Sequence, residues 1–254
     1  SGSMQDLDRG VIIGQNTYGK GLVQVTKPVA YKSKLKVTIS KYYIPSGRCI
    51  QRIDYSHRGE DGVASALPDS LRKEFKTKAG RVVKDGAGIE PDIKTEPEKA
   101  APITFALYNN NHVFDFANKY KFEHATLRDG DKFTMTDEEY TQFADFLKGK
   151  EYEYTTNTEY KLKELKKSME ADSYSPEVQQ LITTLEDQVK HDKSKDLQKF
   201  KPEIKRLLEQ EIVSRYTYEK GRIANSLKED IDIKKALEVL MDNARYTSIL
   251  SAKK

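Results

Sequence analysis

The sequence has little with which to build a covalent or membrane framework. It contains one cysteine, Cys49, which excludes an internal disulfide and a cysteine-rich zinc site. No run of about 18 apolar residues occurs, so no helix is expected to cross a bilayer. The four histidines, His57, His112, His124 and His191, lack H-E-x-x-H or other ligand spacing, and neither a metal nor a cofactor is expected. Charge of one sign is scarce too: 44 Lys+Arg against 40 Asp+Glu leave a net +4. Acidic and basic residues alternate, which argues against nucleic acid as a partner. There is no fixed-period repeat, no low-complexity tract and no signal peptide. Ser1-Gly2-Ser3-Met4 reads as a cloning remnant, so the chain is expected to begin inside a longer protein.

What is present is 254 residues, enough for one large domain or two smaller ones. Residues 4 to about 100 read as strands and turns. Val11-Ile12-Ile13 and Leu22-Val23-Gln24-Val25 are candidate strands. From Leu35 to Ile44, Leu35, Val37 and Ile39 alternate with Lys36, Thr38 and Ser40, and this period of two predicts one buried face. Pro45-Ser46-Gly47 makes a turn, Arg48 to Gln51 runs extended, a short helix follows Pro68, Arg81-Val82-Val83 is a brief strand, and Gly86 to Pro91 turns again. From about Pro102 the period becomes helical. Thr136-Asp137-Glu138-Glu139 is a capping box, and Ser175-Pro176 starts a helix carrying Val178, Leu181, Ile182, Leu185 and Val189. Phe200, Ile204, Leu207, Leu208 and Ile212 form one apolar stripe; Ile233, Leu237, Leu240, Met241 and Ala244 form another. Both are expected to be core. The predicted class is α+β: a remnant at 1–3, a strand-rich part at 4–100 and a mainly α-helical domain at 101–254.

Gly14-Gln15-Asn16-Thr17-Tyr18-Gly19-Lys20 fits the start of a phosphate-binding G-x-x-x-x-G-K loop. The next residue is Gly21, not a magnesium-binding Ser or Thr, and a strand-like stretch follows where a helix N-terminus is needed. Nucleotide binding is rejected on that context. Lys20, flanked by Gly19 and Gly21, then has two readings. It is an exposed hairpin lysine, or it is an amine drawn from water, neutral enough to take a proton from a hydroxyl. Gln24 lies on the same strand face about 13 Å further on, so contact with Lys20 needs a bend at Gly21 or a shared neighbour.

Asp6-Leu7-Asp8-Arg9-Gly10-Val11-Ile12-Ile13-Gly14 with Thr17-Tyr18-Gly19-Lys20-Gly21-Leu22-Val23-Gln24 resembles the lysine region of the carboxy-terminal processing peptidases (tail-specific, S41 serine peptidases). Tyr42-Tyr43-Ile44-Pro45-Ser46-Gly47-Arg48-Cys49-Ile50-Gln51 resembles that family's next block. Gly80-Arg81-Val82-Val83 with Gly88-Ile89-Glu90-Pro91-Asp92-Ile93 resembles the block closing its core. The resemblance covers roughly 5 to 93, and the tail resembles helical C-terminal extensions more loosely. It implies the C-terminal part of a crotonase-like core with a PDZ domain earlier in the chain, Lys20 as general base, and Gln24 as the glutamine positioning it. It implies a serine nucleophile, an acyl-enzyme, protein or peptide substrates with free C-termini, and the periplasm or envelope of a bacterium. The family serine lies further upstream than these residues reach, and Ser1 and Ser3 do not match it. The chain alone is therefore expected to be inactive.

Other residues carry plainer readings. Ser46 is a turn serine, since no G-x-S-x-G elbow surrounds it. Cys49 is a packed thiol. Asp92 fixes a turn. Lys161, Lys163, Lys166 and Lys167 are interspersed with Glu159, Glu164 and Glu170 and form a solvated helix face. The competing reading of the whole chain is a helical docking or dimerisation module without catalysis, a homo-oligomer through its long helices or the Tyr152-Glu153-Tyr154 segment.

Overall fold

A computed structural model describes residues 1–172, 174–193 and 195–251. They form two compact units, Ser1–Pro97 with Asp230–Lys254, and Glu98–Glu229. The first opens with α1 (Gly2–Asp6) and continues through β1 (Ile13–Gly14), β2 (Leu22–Pro28), β3 (Lys34–Lys41), β4 (Ile53–Arg58), β5 (Ala64–Ala66), β6 (Glu74–Lys76), β7 (Val82–Lys84) and β8 (Ile93–Lys94). The strands pair two by two: β1 with β8 in parallel, and β2 with β3, β4 with β5 and β6 with β7 antiparallel. The Pro45-Ser46-Gly47 turn forms as expected, closed by the Gly47 amide donating to the Ile44 carbonyl at 2.7 Å. The predicted helix after Pro68 is one 3₁₀ turn at Asp69–Leu71.

The alternation of β3 does not bury a face. Leu35 and Ile39 are 55% and 56% exposed. Period two decides which residues share a side of a strand, but a second layer must cover that side. Among the described residues β3 pairs with β2 alone. Much of this unit is held by polar contacts instead. Arg48 is its largest fully buried side chain, and all three of its nitrogens donate hydrogen bonds: to Asp6, to Gln5 and to the Lys84 carbonyl. Such burial is tolerable only because every guanidinium nitrogen is used.

The second unit contains α2 (Pro102–Asn109), α3 (His112–Glu123), α4 (Asp137–Phe146), α5 (Asn157–Ala171), α6 (Pro176–Lys193), α7 (Asp196–Lys199) and α8 (Lys201–Ser226). The Thr136 capping box forms, with the Glu139 amide donating to the Thr136 hydroxyl and the Thr136 amide donating to the Glu139 carboxylate. Thr156 and Glu159 repeat the device on α5. Ile204, Leu208 and Ile212 are fully buried with Phe133, Phe143 and Leu107, so the first stripe is core as its period predicted. Phe116 meets Phe143 edge-on at 5.1 Å. Within α8, Tyr218 leaves helical geometry at φ 56, ψ −157 and breaks the rod. The class is thus α+β with a helical second part, as the sequence indicated.

The last helices, α9 (Ile231–Met241) and α10 (Asn243–Leu250), group with the first unit, although composition had placed 101–254 together. Their apolar stripe is not core. Ile233, Leu237, Leu240 and Met241 are 40%, 52%, 66% and 87% exposed, and α9 buries Val239 instead. The orientation is set at the helix start: Asp230 caps the Ile233 amide, and Asp232 accepts the Thr95 hydroxyl at 2.6 Å. Leu181 and Leu185 of α6 are likewise exposed.

Candidate active site

Lys20 stands just before β2, where three segments cross at close quarters. Gly19 has φ +78, and a Cβ there would lie 2.7 Å from Arg52 Cβ and 2.9 Å from the Ile50 carbonyl oxygen. A Cβ on Gly21 would lie 2.8 Å from the Gln51 amide nitrogen. Glycine at both places is what lets residues 49–52 approach the lysine-bearing backbone. The Arg52 amide donates to the Gly19 carbonyl at 2.9 Å, and the Tyr42 amide to the Gly21 carbonyl at 3.0 Å. On the other side Thr17 is tied to Ile89 in both directions, by amide to carbonyl at 3.1 Å and by the Ile89 amide to the Thr17 hydroxyl at 2.8 Å. Strand β2 follows Gly21 directly, the element that sequence context had set against a phosphate loop.

Lys20 and Gln24 both line one open cleft of about 430 Å³, together with Tyr18, Leu22, Thr38, Gln51 and Tyr55. The strand register shifts between Val23 and Gln24, so strand alternation alone does not decide which face Gln24 takes. Gln24 donates from Nε2 to the Thr38 hydroxyl at 3.3 Å. The Lys20 side chain is exposed to solvent, as is Gln24. The lining residues carry amine, amide, hydroxyl and phenol groups and include no serine.

Elsewhere in the same unit runs a polar lattice that sequence reasoning missed. Arg81 donates from Nε to Asp8 at 2.7 Å and from Nη1 to Asp92 at 2.6 Å. Asp92 also accepts the Ile12 amide at 2.8 Å and the Gln5 side-chain amide at 3.0 Å. It therefore pins the chain before β1 to the chain before β8. Burial works against the charge on Asp8, yet the Ala79 amide and the Arg81 guanidinium outweigh it and hold that carboxyl below its ordinary value. The available signal was an arginine following glycine twice in the strand-rich part, Gly47-Arg48 and Gly80-Arg81, with the Asp6 and Asp8 pair before them.

The remaining candidates fall elsewhere. Ser46 donates its backbone amide to Asp6 at 3.0 Å. Cys49 is free and half-buried. His57 is exposed, with Nδ1 2.7 Å from Asp54, and the Ser56 hydroxyl also contacts that carboxylate. The carboxylate stands between serine and histidine, so no Ser-His relay exists there. Ser56, then the His57 ring, hold the Asp54 carboxyl well below the usual range. His112 Nε2 meets the Glu151 carbonyl and His124 stacks on Tyr120, while the His191 side chain lies outside the described residues. Among the described residues no three His, Cys, Asp or Glu groups cluster as a metal site, and no helix is long and apolar enough to cross a membrane. On α5, Lys166 pairs with Glu186 of α6 at 3.1 Å.

Two family models match the chain. Residues 103–240, more than half of it, match "Probable PDZ-protease, C-terminal helical domain". Residues 1–57 match "Peptidase family S41". That second match starts within the tetrapeptide read as a remnant, whose Gly2 is buried against Ile44 and Ile89. The block from Gly80 to Ile93 lies outside both. A carboxy-terminal-processing protease of Bartonella bacilliformis is 43% identical over 53 residues, 21% of this chain and 12% of that protein. A chloroplastic C-terminal processing peptidase of Tetradesmus obliquus is 38% identical over 56 residues, 22% of this chain and 12% of the relative. The chain thus spans about an eighth of the length of these relatives. No solved structure matches it.

Proposed function

Because the chain belongs to the family of probable PDZ-proteases with a C-terminal helical domain, we propose that it is the C-terminal part of a Ser-Lys endopeptidase that cuts proteins near their C-termini. The observation that carries this reading is the fixed backbone around Lys20, with Gln24 lining the same cleft. Lys20 is the general base. A serine hydroxyl supplied from outside these 254 residues meets its amine, gives up its proton and attacks the substrate carbonyl. The amine then returns that proton to the leaving group, and water releases the acyl-enzyme. Gln24 helps to orient the amine. The exposed cleft is covered when the serine-bearing part docks, and removal of water then favours the neutral amine the mechanism needs.

The substrates on this reading are proteins or peptides with free C-termini, and the place of action is the periplasm or envelope of a bacterium. The 254-residue chain alone gives no turnover of unstructured peptides, whereas the full-length protein does and loses about 10³-fold or more on Lys20→Ala. Turnover by the short chain that survives Lys20→Ala ends the proposal. One observation favours a second role for the helical part, namely the uncovered Leu181 and Leu185 of α6, which suit self-association. Sedimentation of the wild-type chain as a monomer at every concentration removes that role.

A further inference from the structure

The peptide group joining Lys20 to Gly21 is gripped at both ends by side chains, and we propose that these, Gln51 and Tyr42, are positioning residues for the lysine. The inference rests on Lys20 being the general base. Gln51 Oε1 accepts the Gly21 amide hydrogen at 2.7 Å. The Tyr42 hydroxyl donates to the Lys20 carbonyl at 2.8 Å. Carbonyl and amide of one trans peptide point in opposite directions, so the two contacts fix the tilt of a single plane. The preceding plane is fixed as well, by the Arg52 amide on the Gly19 carbonyl at 2.9 Å. With both planes beside the Lys20 Cα set, the direction in which its side chain leaves the backbone is set too.

Gln51 is itself held. Its Nε2 donates to the Ile53 carbonyl at 2.9 Å, which decides which end of the amide faces Gly21. It also lines the cleft that Lys20 and Gln24 share. The contact is needed because Gly21 precedes β2, whose ladder to β3 begins at Leu22. A glycine on each side of Lys20 gives the chain its close approach but leaves it free to swing, and the two side chains remove that freedom. Tyr42 and Gln51 open and close one stretch of ten residues, so this stretch and the lysine loop form one device.

Gly21 itself is buried, but Gln51 is half-buried and lines the open cleft, so in Gln51→Ala water can enter from the cleft to take the place of its Oε1, and loss of the contact should move the base more than it weakens the fold. In the full-length protein, Gln51→Ala is expected to lower kcat about 10- to 100-fold, with KM within about twofold and a melting temperature within about 3 °C of wild type. Tyr42→Phe should lower kcat about 3- to 10-fold. Gln51→Glu keeps the acceptor and adds a negative charge to the cleft, which favours the ammonium form. It should therefore recover part of kcat and move the lower limb of the kcat/KM profile to higher pH by about half a unit or more. An unchanged kcat in Gln51→Ala overturns the inference. So does a Gln51→Glu profile superimposable on wild type with a rate loss equal to the loss of folded protein. Full activity in Lys20→Ala instead overturns the general-base reading, and an inactive Lys20→Ala beside a fully active Gln51→Ala overturns the positioning role alone.

Discussion

Arg48 binds Asp6 from one edge of its guanidinium, through Nη2 at 2.8 Å and Nε at 3.1 Å, with the pair 1% and 0% exposed at the side chain. The same carboxylate accepts the Ser46 amide at 3.0 Å, and Arg48 also donates to Gln5 and to the Lys84 carbonyl. One buried ion pair therefore joins α1, the 45–47 turn and β7.

Removing one partner leaves the other charged, buried and unanswered. Arg48→Ala and Asp6→Asn are each expected to destabilise the chain by about 3–5 kcal/mol. Urea unfolding followed by circular dichroism measures this. The double variant should lose less than the sum of the singles, since each single loss contains the cost of the stranded partner.

Two glutamates of the helical unit, the half-buried Glu139 and the buried Glu209, should respond to pH with opposite sign. Burial raises the pKa of Glu139, but Arg128, the Thr136 amide and Tyr120 overcome it and bring the carboxyl down from 4.5 to about 2. Its folded pKa lies below its unfolded one, so its contribution is complete above about pH 4.5 and disappears as pH falls toward 2. For Glu209 burial wins over the Met135 amide and the Lys228 charge, and its pKa is raised. At pH 7, Glu139→Gln should melt lower than wild type and Glu209→Gln at the same temperature or higher. The deficit of Glu139→Gln should close as the solution is taken down to pH 2. Melting curves across pH decide both.

The contrast between covered and uncovered stripes gives a third expectation. Phe143 is fully buried among Phe116, Tyr140 and Phe146. Phe143→Ala should cost about 3–5 kcal/mol. Leu237→Ala, at an exposed site on α9, should stay within about 0.5 kcal/mol. A large loss at Leu237 would mean that its face is covered in solution.

Gly88 has φ +77, and a Cβ there would lie 2.2 Å from the Thr17 carbonyl oxygen. Gly88→Ala should cost more than about 2 kcal/mol, because the left-handed backbone and the clash act together. Amide shifts in nuclear magnetic resonance spectra should spread to Thr17, Gly19 and Gly21.

Local features were legible in the order of residues. The strands at Leu22 and Leu35, the 45–47 turn, the Thr136 capping box and the 200–212 core stripe follow from propensity, period and cap chemistry, which act over a few neighbours. The Thr156 box carried the same visible signal, Thr-x-x-Glu. The lysine between two glycines was legible as well. Its surroundings were not: Asp6 and Arg48 are 42 residues apart, Asp8 and Arg81 73 apart, and Gly21 and Gln51 30 apart.

Sequence by itself determined which residues share a strand or helix face, where elements begin, and that the chain is part strand and part helix. Tertiary structure decided which of those faces is covered. Leu35 and Ile39 keep a strand's apolar period, and Leu237 and Leu240 a helix's, as regularly as Ile204 and Leu208 keep theirs, and they end in solvent. Periodicity is a property of one element, whereas burial needs a second surface brought to it. The backbone at Lys20 was fixed in the same way, by a glutamine and a tyrosine that only the fold brings to its peptide.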